Sequence, residues 1–315
     1  MNLSLTYLDH DIVQVDLQYA GVPRFCAGYI ITKPTPVVLE TGAKPCIPYI
    51  MAALEELQIN PLDVRYVIIS HVHMDHAAGA GTLLQHCPNA TLVVHEKGAR
   101  HMVDPSKLLL GAQAAYGPEL YNKIAGFDPV PMERIHCPKD NETLDLGEGR
   151  ILTLLDTPGH CFHHLCVYDE QSQGIFCGDA AGLYFPDING NGLPYYTQGT
   201  SPNQFDLDLS LSTLERLAGL QPQVLYYTHF GVAPDATNLL LQLPKQLKDY
   251  VAIAKEVYRT SQRWEDLRDS LWHYHQQDLA TKGVIWETPE ITLFQDTLEL
   301  SAKGLTLYLS FLTHK

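Results

Sequence analysis

The run Tyr66-Val67-Ile68-Ile69 stops abruptly at Ser70, and His71-Val72-His73-Met74-Asp75-His76 follows at once. An unbroken apolar run of this length is what a strand covered on both faces requires, since alternate side chains then meet two separate apolar layers. The strand must lie inside a sheet, and the polar cluster is confined to that sheet's edge. Residues two apart in extended backbone project to the same side, so His71 and His73 converge on one point. The chain is then expected to turn into a helix near Gly79, which aims Asp75 and His76 in another direction, toward a second, adjacent point. Imidazole and carboxylate are donors that Zn²⁺, Fe²⁺ and Mn²⁺ accept.

Four residues cannot saturate two ions, and further candidates stand at other strand ends. Asp156-Thr157-Pro158-Gly159-His160 follows the apolar run 150–155, Cys177-Gly178-Asp179 closes 174–177, and Tyr227-Thr228-His229-Phe230-Gly231 follows 223–227. A single histidine at a strand end is ordinarily a satisfied surface or core residue. The set as a whole, each member placed after an apolar run, has the pattern of a metal centre built on one sheet edge.

Further β-type runs occupy 12–18, 26–32, 36–39, 91–95 and 164–169, and helical periodicity appears at 46–58, 79–87, 96–103 and 206–219. The stretch 104–135, punctuated by Pro105, Gly111, Gly117, Pro118, Pro129 and Pro131, predicts an insertion or lid of short helical pieces. A loop rich in Gly, Asn and Pro is expected over 186–203. Beyond Pro234 the segments 236–260, 264–280 and 289–312 are helical in pattern. This order is not a plain βαβ alternation. It predicts an α/β fold in which two mixed β-sheets pack together under outer helices, a four-layer αβ/βα sandwich over 1–235, with a helical C-terminal subdomain over 236–315.

Composition narrows the partners. Thirty-six acidic against 21 basic residues leave a formal charge of −15, which repels phosphate backbones, so nucleic acid is not an expected partner. Fifteen histidines direct attention to metals instead. Charged residues make up 18%, below the roughly 25% of an average domain, with an ordinary apolar share, which argues against disorder and coiled coil. The start carries no basic n-region or apolar h-region, and no stretch approaches ~20 apolar residues, so a cytoplasmic location without a membrane partner is expected. The seven cysteines, 26, 46, 87, 137, 161, 166 and 177, are scattered without a Cys-x-x-Cys pair and predict buried or half-buried free thiols rather than disulfides.

The pattern His-x-His-x-Asp-His, followed by Thr-Pro-Gly-His, Gly-Asp and Thr-His, resembles the metallo-β-lactamase-fold hydrolase superfamily over about residues 10–235. The resemblance implies a dinuclear centre with His71, His73 and His160 on one ion, Asp75, His76 and His229 on the other, and Asp179 bridging both. One departure is Glu40-Thr41-Gly42, where the superfamily usually has Asp-x-Gly; that acidic side chain buttresses a ligand rather than touching metal. The segment His95-Glu96-x-Gly98-Ala99-Arg100-His101 and the stretch Pro202-x-x-Phe205-Asp206 resemble a prokaryotic hydrolase branch, with a glyoxalase II- and lactonase-like metal site.

Such a centre implies two divalent ions, zinc first with iron or manganese as alternates, and a metal-bridging hydroxide that attacks an ester, lactone or thioester carbonyl, with Asp75 both ligating and holding the hydroxide. A secreted β-lactamase, an RNA-processing enzyme and a glutathione-thioester hydrolase are disfavoured by the missing signal peptide, the acidity and the missing Arg/Lys cluster. The alternative is iron-dependent redox chemistry of the sulfur dioxygenase type. Tyr184, Tyr195 and Tyr196, with Tyr116 and Tyr121 of the lid segment, are candidates to hydrogen-bond a small-molecule substrate, although tyrosines mostly pack. His163 and His164 are expected to be structural, one of them facing the core. In Trp272-His273-Tyr274-His275 the two histidines diverge on a helix, a poor metal pair. The apolar faces of the C-terminal helices suit a cover or a homodimer seam.

Overall fold

Alternate residues of the buried strands serve two different cores. Strands β1 (Leu5–Leu8), β2 (Ile12–Asp16), β3 (Ala27–Ile31), β4 (Val37–Leu39), β5 (Tyr66–Ile68), β6 (Thr91–Val93) and β7 (Ile135–His136) form a seven-stranded sheet in chain order. It is antiparallel as far as β4 and parallel from β4 to β7. Strands β8 (Glu142–Asp145), β9 (Ile151–Asp156), β10 (Leu165–Asp169) and β11 (Gly174–Gly178) belong to a second sheet. After a separate hairpin of β12 (Leu183–Phe185) and β13 (Tyr195–Thr197), strands β14 (Val224–Tyr227) and β15 (Gly231–Pro234) complete it in the order β15-β14-β11-β10-β9-β8. Both sheets are mixed, as expected. The computed structural model describes residues 2–186, 192–200, 203–284 and 290–313, without the side chains of 114–117, 119–120 and 290–293.

The helices are α1 (Ile47–Glu56), α2 (Met74–Ala77), α3 (Ala80–His86), α4 (Glu96–Val103), α5 (Ser106–Ile124), α6 (Leu207–Gly219), α7 (Ala236–Thr260), α8 (Trp264–Thr281) and α9 (Glu290–Thr313). The chain divides into two units. The first comprises Met1–Asp156, His163–Gly178 and Gln223–Val232, and the second Thr157–Phe162, Asp179–Pro222 and Ala233–Lys315.

In the first unit, Tyr29, Ile31, Leu39, Ile68 and Val93 of one sheet pack against Leu152, Leu154, Val167, Phe176 and Tyr226 of the other. Their sequence neighbours Ile30, Val38, Val67 and Leu92 point the opposite way, into a core closed by Ile50 and Leu54 of α1, Leu83 of α3, Met102 of α4 and Ile124 of α5. This is the two-sided burial that an uninterrupted apolar run demands. Arg150 ties the layers. Its guanidinium lies against the Asp169 carboxylate at 2.7 and 3.3 Å and donates to the carbonyls of His10 and Lys33 at 2.7 and 3.0 Å, with both charged side chains fully buried.

In the second unit α6 packs on α7, and α7, α8 and α9 pack on one another. The Asp206 carboxylate accepts the Leu209 N–H at 3.0 Å and so starts α6, satisfying a donor that has no partner inside the helix. The helices expected beyond Pro234 are present nearly residue for residue.

Three expectations change. The stretch 104–135 holds one continuous helix, α5, across Pro118 rather than short pieces. Proline removes a single helical donor, and burial of Ala112 and Ile124, with Leu108, Leu109 and Tyr121 packed behind them, holds the helix through it. The loop expected over 186–203 contains β13, whose pairing partner β12 supplies order that its own composition does not advertise. Finally, the helix expected over 79–87 is present as α3, but a separate single turn that was not expected, α2, precedes it at Met74. Tyr116, Pro202 and part of the 186–203 loop lie outside the described residues and side chains. The seven cysteines form no disulfide, and burial pushes the thiols of Cys46 and Cys87 up to about 12 and about 11. Among the described residues no helix is long and apolar enough to cross a membrane.

Candidate metal centre

Strand β5 ends because its neighbour changes. Ile69 still donates to the Val93 carbonyl, but the next donor, the Ser70 N–H, goes to Glu40 Oε1 at 2.8 Å. Glu40 stands just past β4 with φ of +64°, a left-handed conformation uncommon for a side-chain-bearing residue, while its own N–H still bonds the Ile68 carbonyl. The other oxygen of the same carboxylate meets His76 Nδ1 at 2.8 Å. One acidic side chain therefore both stops the strand and orients a histidine of the motif. Gly178, at the end of β11, has no room for a side chain: a Cβ there would stand 2.5 Å from Ser70 Cβ and 2.7 Å from His164 Nε2.

Five motif residues belong to the first unit. His71 Nε2 and His73 Nδ1 approach to 2.8 Å, as the shared side of extended residues leads one to expect. Asp75 and His76 stand in the single turn of α2, whose last carbonyl-bearing histidine is fixed by the Thr41 N–H and hydroxyl at 3.0 and 2.8 Å. Asp75 Oδ2 lies 3.3 Å from His229 Nε2 and 3.8 Å from His76 Nε2. The rings of His71 and His76 are 4.0 Å apart by centroid, and those of His76 and His229 5.2 Å. His71, His76 and His229 are buried.

The remaining two belong to the second unit. His160 Nε2 lies 3.4 Å from Asp179 Oδ2, and His160 Nδ1 meets the Gly199 carbonyl at 2.9 Å. Both residues are buried. Tyr184, Tyr195 and Tyr196 are on the β12–β13 hairpin. Tyr195 is buried with its hydroxyl on His275 at 2.6 Å, Tyr196 donates to Gln242 at 2.7 Å, and burial raises the Tyr184 phenol. His163 and His164 are both buried, not one of them, because they precede β10 in a turn where strand alternation does not apply. His164 and His163 flank His71 at centroid distances of 5.1 and 6.3 Å.

The donor set suits divalent ions of the zinc and iron kind. A ligating histidine is held by a hydrogen bond at its other ring nitrogen, which fixes tautomer and orientation. Four of the five motif histidines have that arrangement at Nδ1: Ser70 Oγ at 3.0 Å for His71, Glu40 for His76, the Phe25 carbonyl at 3.0 Å for His229, and the Gly199 carbonyl for His160. On the other side of these rings, His71 Nε2 meets His73, His229 Nε2 faces Asp75 and His160 Nε2 faces Asp179. Cys26 adds a soft donor that sequence reasoning treated only as a buried thiol: its sulfur and donor atoms of Asp75 and His229 all lie within 4.8 Å of one another. Ser70 was legible as the last residue before the motif, whereas the carbonyls of Phe25 and Gly199 leave no trace in side-chain identity.

Glu40→Ala is expected to weaken metal binding by about 10–100-fold, the usual cost of losing the partner that orients a ligand. Zinc competition against a chromophoric chelator measures it, and an unchanged affinity would remove Glu40 from the centre.

A family model described as the metallo-beta-lactamase superfamily matches residues 23–229. The chain belongs to the metallo-β-lactamase superfamily. Within it, the chain is 23% identical over 242 residues to the thioesterase pkgB of Emericella nidulans, covering 76% of this chain and 53% of that protein. It is 24% identical over 161 residues to the anaerobic nitric oxide reductase flavorubredoxin of Pectobacterium carotovorum subsp. carotovorum, covering 50% and 27%. The chain spans about half the length of the first of these relatives and less of the second. Among solved structures, an archaeal metallo-beta-lactamase superfamily protein from Sulfolobus tokodaii superposes with a TM-score of 0.63 at 21% identity, covering 90% of this chain and 93% of that one. At that identity the likeness speaks for the fold.

Proposed function

We propose that the chain is a dinuclear-metal-dependent hydrolase acting on the carbonyl of a small ester, lactone or thioester. The observation that carries this reading is the fixed Nδ1 partner on four motif histidines, which prepares Nε2 donors beside the Asp75 and Asp179 carboxylates. In this reading His71, His73 and His160 hold one ion, Asp75, His76 and His229 the other, and Asp179 both. When bound, two dications would supply an acidified water as nucleophile and a Lewis acid for the carbonyl oxygen. Asp75, whose Oδ2 faces His229, is in this reading the carboxylate that orients a water or takes its proton. The buried imidazoles exclude bulk water, which strengthens each charge interaction in the centre.

The thioesterase relative supports an acyl substrate. Two dications would offset four of the formal negative charges, and the chain would stay acidic enough to make nucleic acid a poor substrate. The flavorubredoxin relative supports the second reading, iron-dependent redox chemistry.

Metal analysis of the purified chain with a panel of aryl esters, lactones and thioesters separates the two. Hydrolysis predicts zinc, turnover lost on chelation and its return when zinc is restored. Iron with oxygen consumption and no ester turnover assigns the redox function instead.

A further inference from the structure

The centre of the helical part of the second unit is a buried polar network that the hydrolase reading leaves unused. His275 of α8 is fully buried. Its Nδ1 meets the Tyr195 hydroxyl at 2.6 Å, and its Nε2 meets the Tyr250 hydroxyl and, at 3.3 Å, Thr197 Oγ1. Thr197 and Tyr250 also bond one another at 2.5 Å. One polarity satisfies every member: Thr197 donates to Tyr250, Tyr250 to His275 Nε2, His275 Nδ1–H to Tyr195, and Tyr195 to Asp278. Desolvation pushes the imidazole down to about 3, so it stays neutral with one donor and one acceptor, as this chain of bonds needs.

Two of these partners, Tyr195 and Thr197, are the two ends of strand β13. Two residues further on, the Gly199 carbonyl meets His160 Nδ1 at 2.9 Å. The intervening backbone is pinned as well, since Ser301 of α9 donates to the Gln198 carbonyl at 3.3 Å and Gln246 of α7 to the Tyr196 carbonyl at 3.3 Å. The start of the hairpin is equally tight: Gly182, at φ of +78°, has the Thr197 carbonyl where a Cβ would stand 2.0 Å away. Asp179, whose carbonyl accepts the Gly182 N–H, leads into that same start. Both metal-motif residues of this unit thus hang from the ends of one hairpin.

We propose that His275 is a positioning residue for His160: it locks β13 and so places the Gly199 carbonyl that holds His160 with Nε2 turned to its ligand side. This rests on the reading of His160 as a metal ligand. In it, the C-terminal helices are part of the metal centre's scaffold rather than only a cover.

The test compares His275→Phe and Tyr195→Phe with Leu271→Ala, a fully buried α8 residue outside the network. Two quantities are read: the tautomer of the His160 imidazole in the metal-free chain by ¹⁵N NMR, and zinc affinity by chelator competition. His275→Phe and Tyr195→Phe are expected to mix the His160 tautomers and to weaken zinc binding by about 5-fold, less than loss of a direct ligand partner because the effect passes through backbone. Leu271→Ala is expected to lower the melting temperature without either change. His275→Gln, which keeps a donor and an acceptor, should recover part of the affinity. A wild-type tautomer and affinity in both polar variants, or the same changes in Leu271→Ala, overturns the proposal. If His275→Phe does not fold, Tyr195→Phe decides by the same criteria. A wild-type chain that binds no zinc sinks the metal-site reading, while the tautomer still decides whether His275 positions His160.

Discussion

Asp75→Asn is expected to lower kcat/KM for the best acyl substrate by about 10³-fold, within the range that a positioned proton-accepting group contributes. The amide keeps an oxygen that can ligate, yet it cannot take a proton from water, so the metal content should stay near that of the wild type. Asp75→Ala removes the ligand too and should lose both the activity and part of the metal. The contrast matters because Asp75 Oδ2 sits within 3.8 Å of two histidines, His229 and His76, and a loss confined to metal content would make the residue a ligand alone. A fully metallated Asp75→Asn with wild-type turnover would refute its role in proton handling.

The second large effect is one of stability. Arg150→Met is expected to destabilise the chain by about 3–5 kcal/mol, because it strands the buried Asp169 carboxylate without its guanidinium partner. Two carbonyls, those of His10 and Lys33, lose donors at the same time. Urea unfolding followed by circular dichroism measures the cost. The double variant Arg150→Met with Asp169→Leu should recover much of it, since a buried ion pair replaced whole by apolar groups leaves no uncompensated charge. A single variant within about 1 kcal/mol of wild type would show that water reaches the site and screens the charge.

Much of the fold was legible. The run 66–69 announced a strand covered on both faces, and Val67 and Ile68 indeed enter different cores. The helices expected over 236–260 and 264–280 are present as Ala236–Thr260 and Trp264–Thr281. Short strands were not legible: β7 has two residues, and β13 sits in a stretch whose glycine, asparagine and proline favour a loop. Their order comes from the strands they pair with rather than from their own composition, so no local pattern records it.

The candidate centre divides in the same way. The spacing in His71-Val72-His73 places two imidazoles together because extended backbone repeats every two residues, and it places them at the strand end because the apolar run stops there. These are local, covalent facts, and the sequence by itself determined them, along with the superfamily they resemble. It did not determine what holds those side chains still. Glu40 serves His76 and Ser70 together only because β4 and β5 pair in parallel register, and Gly199 serves His160 only because a hairpin returns its backbone to that point. A backbone carbonyl has no residue identity, and a hydrogen bond across 36 residues has no period. Which atom meets which ring nitrogen was therefore left to tertiary structure, where packing of distant segments sets distances that local geometry cannot.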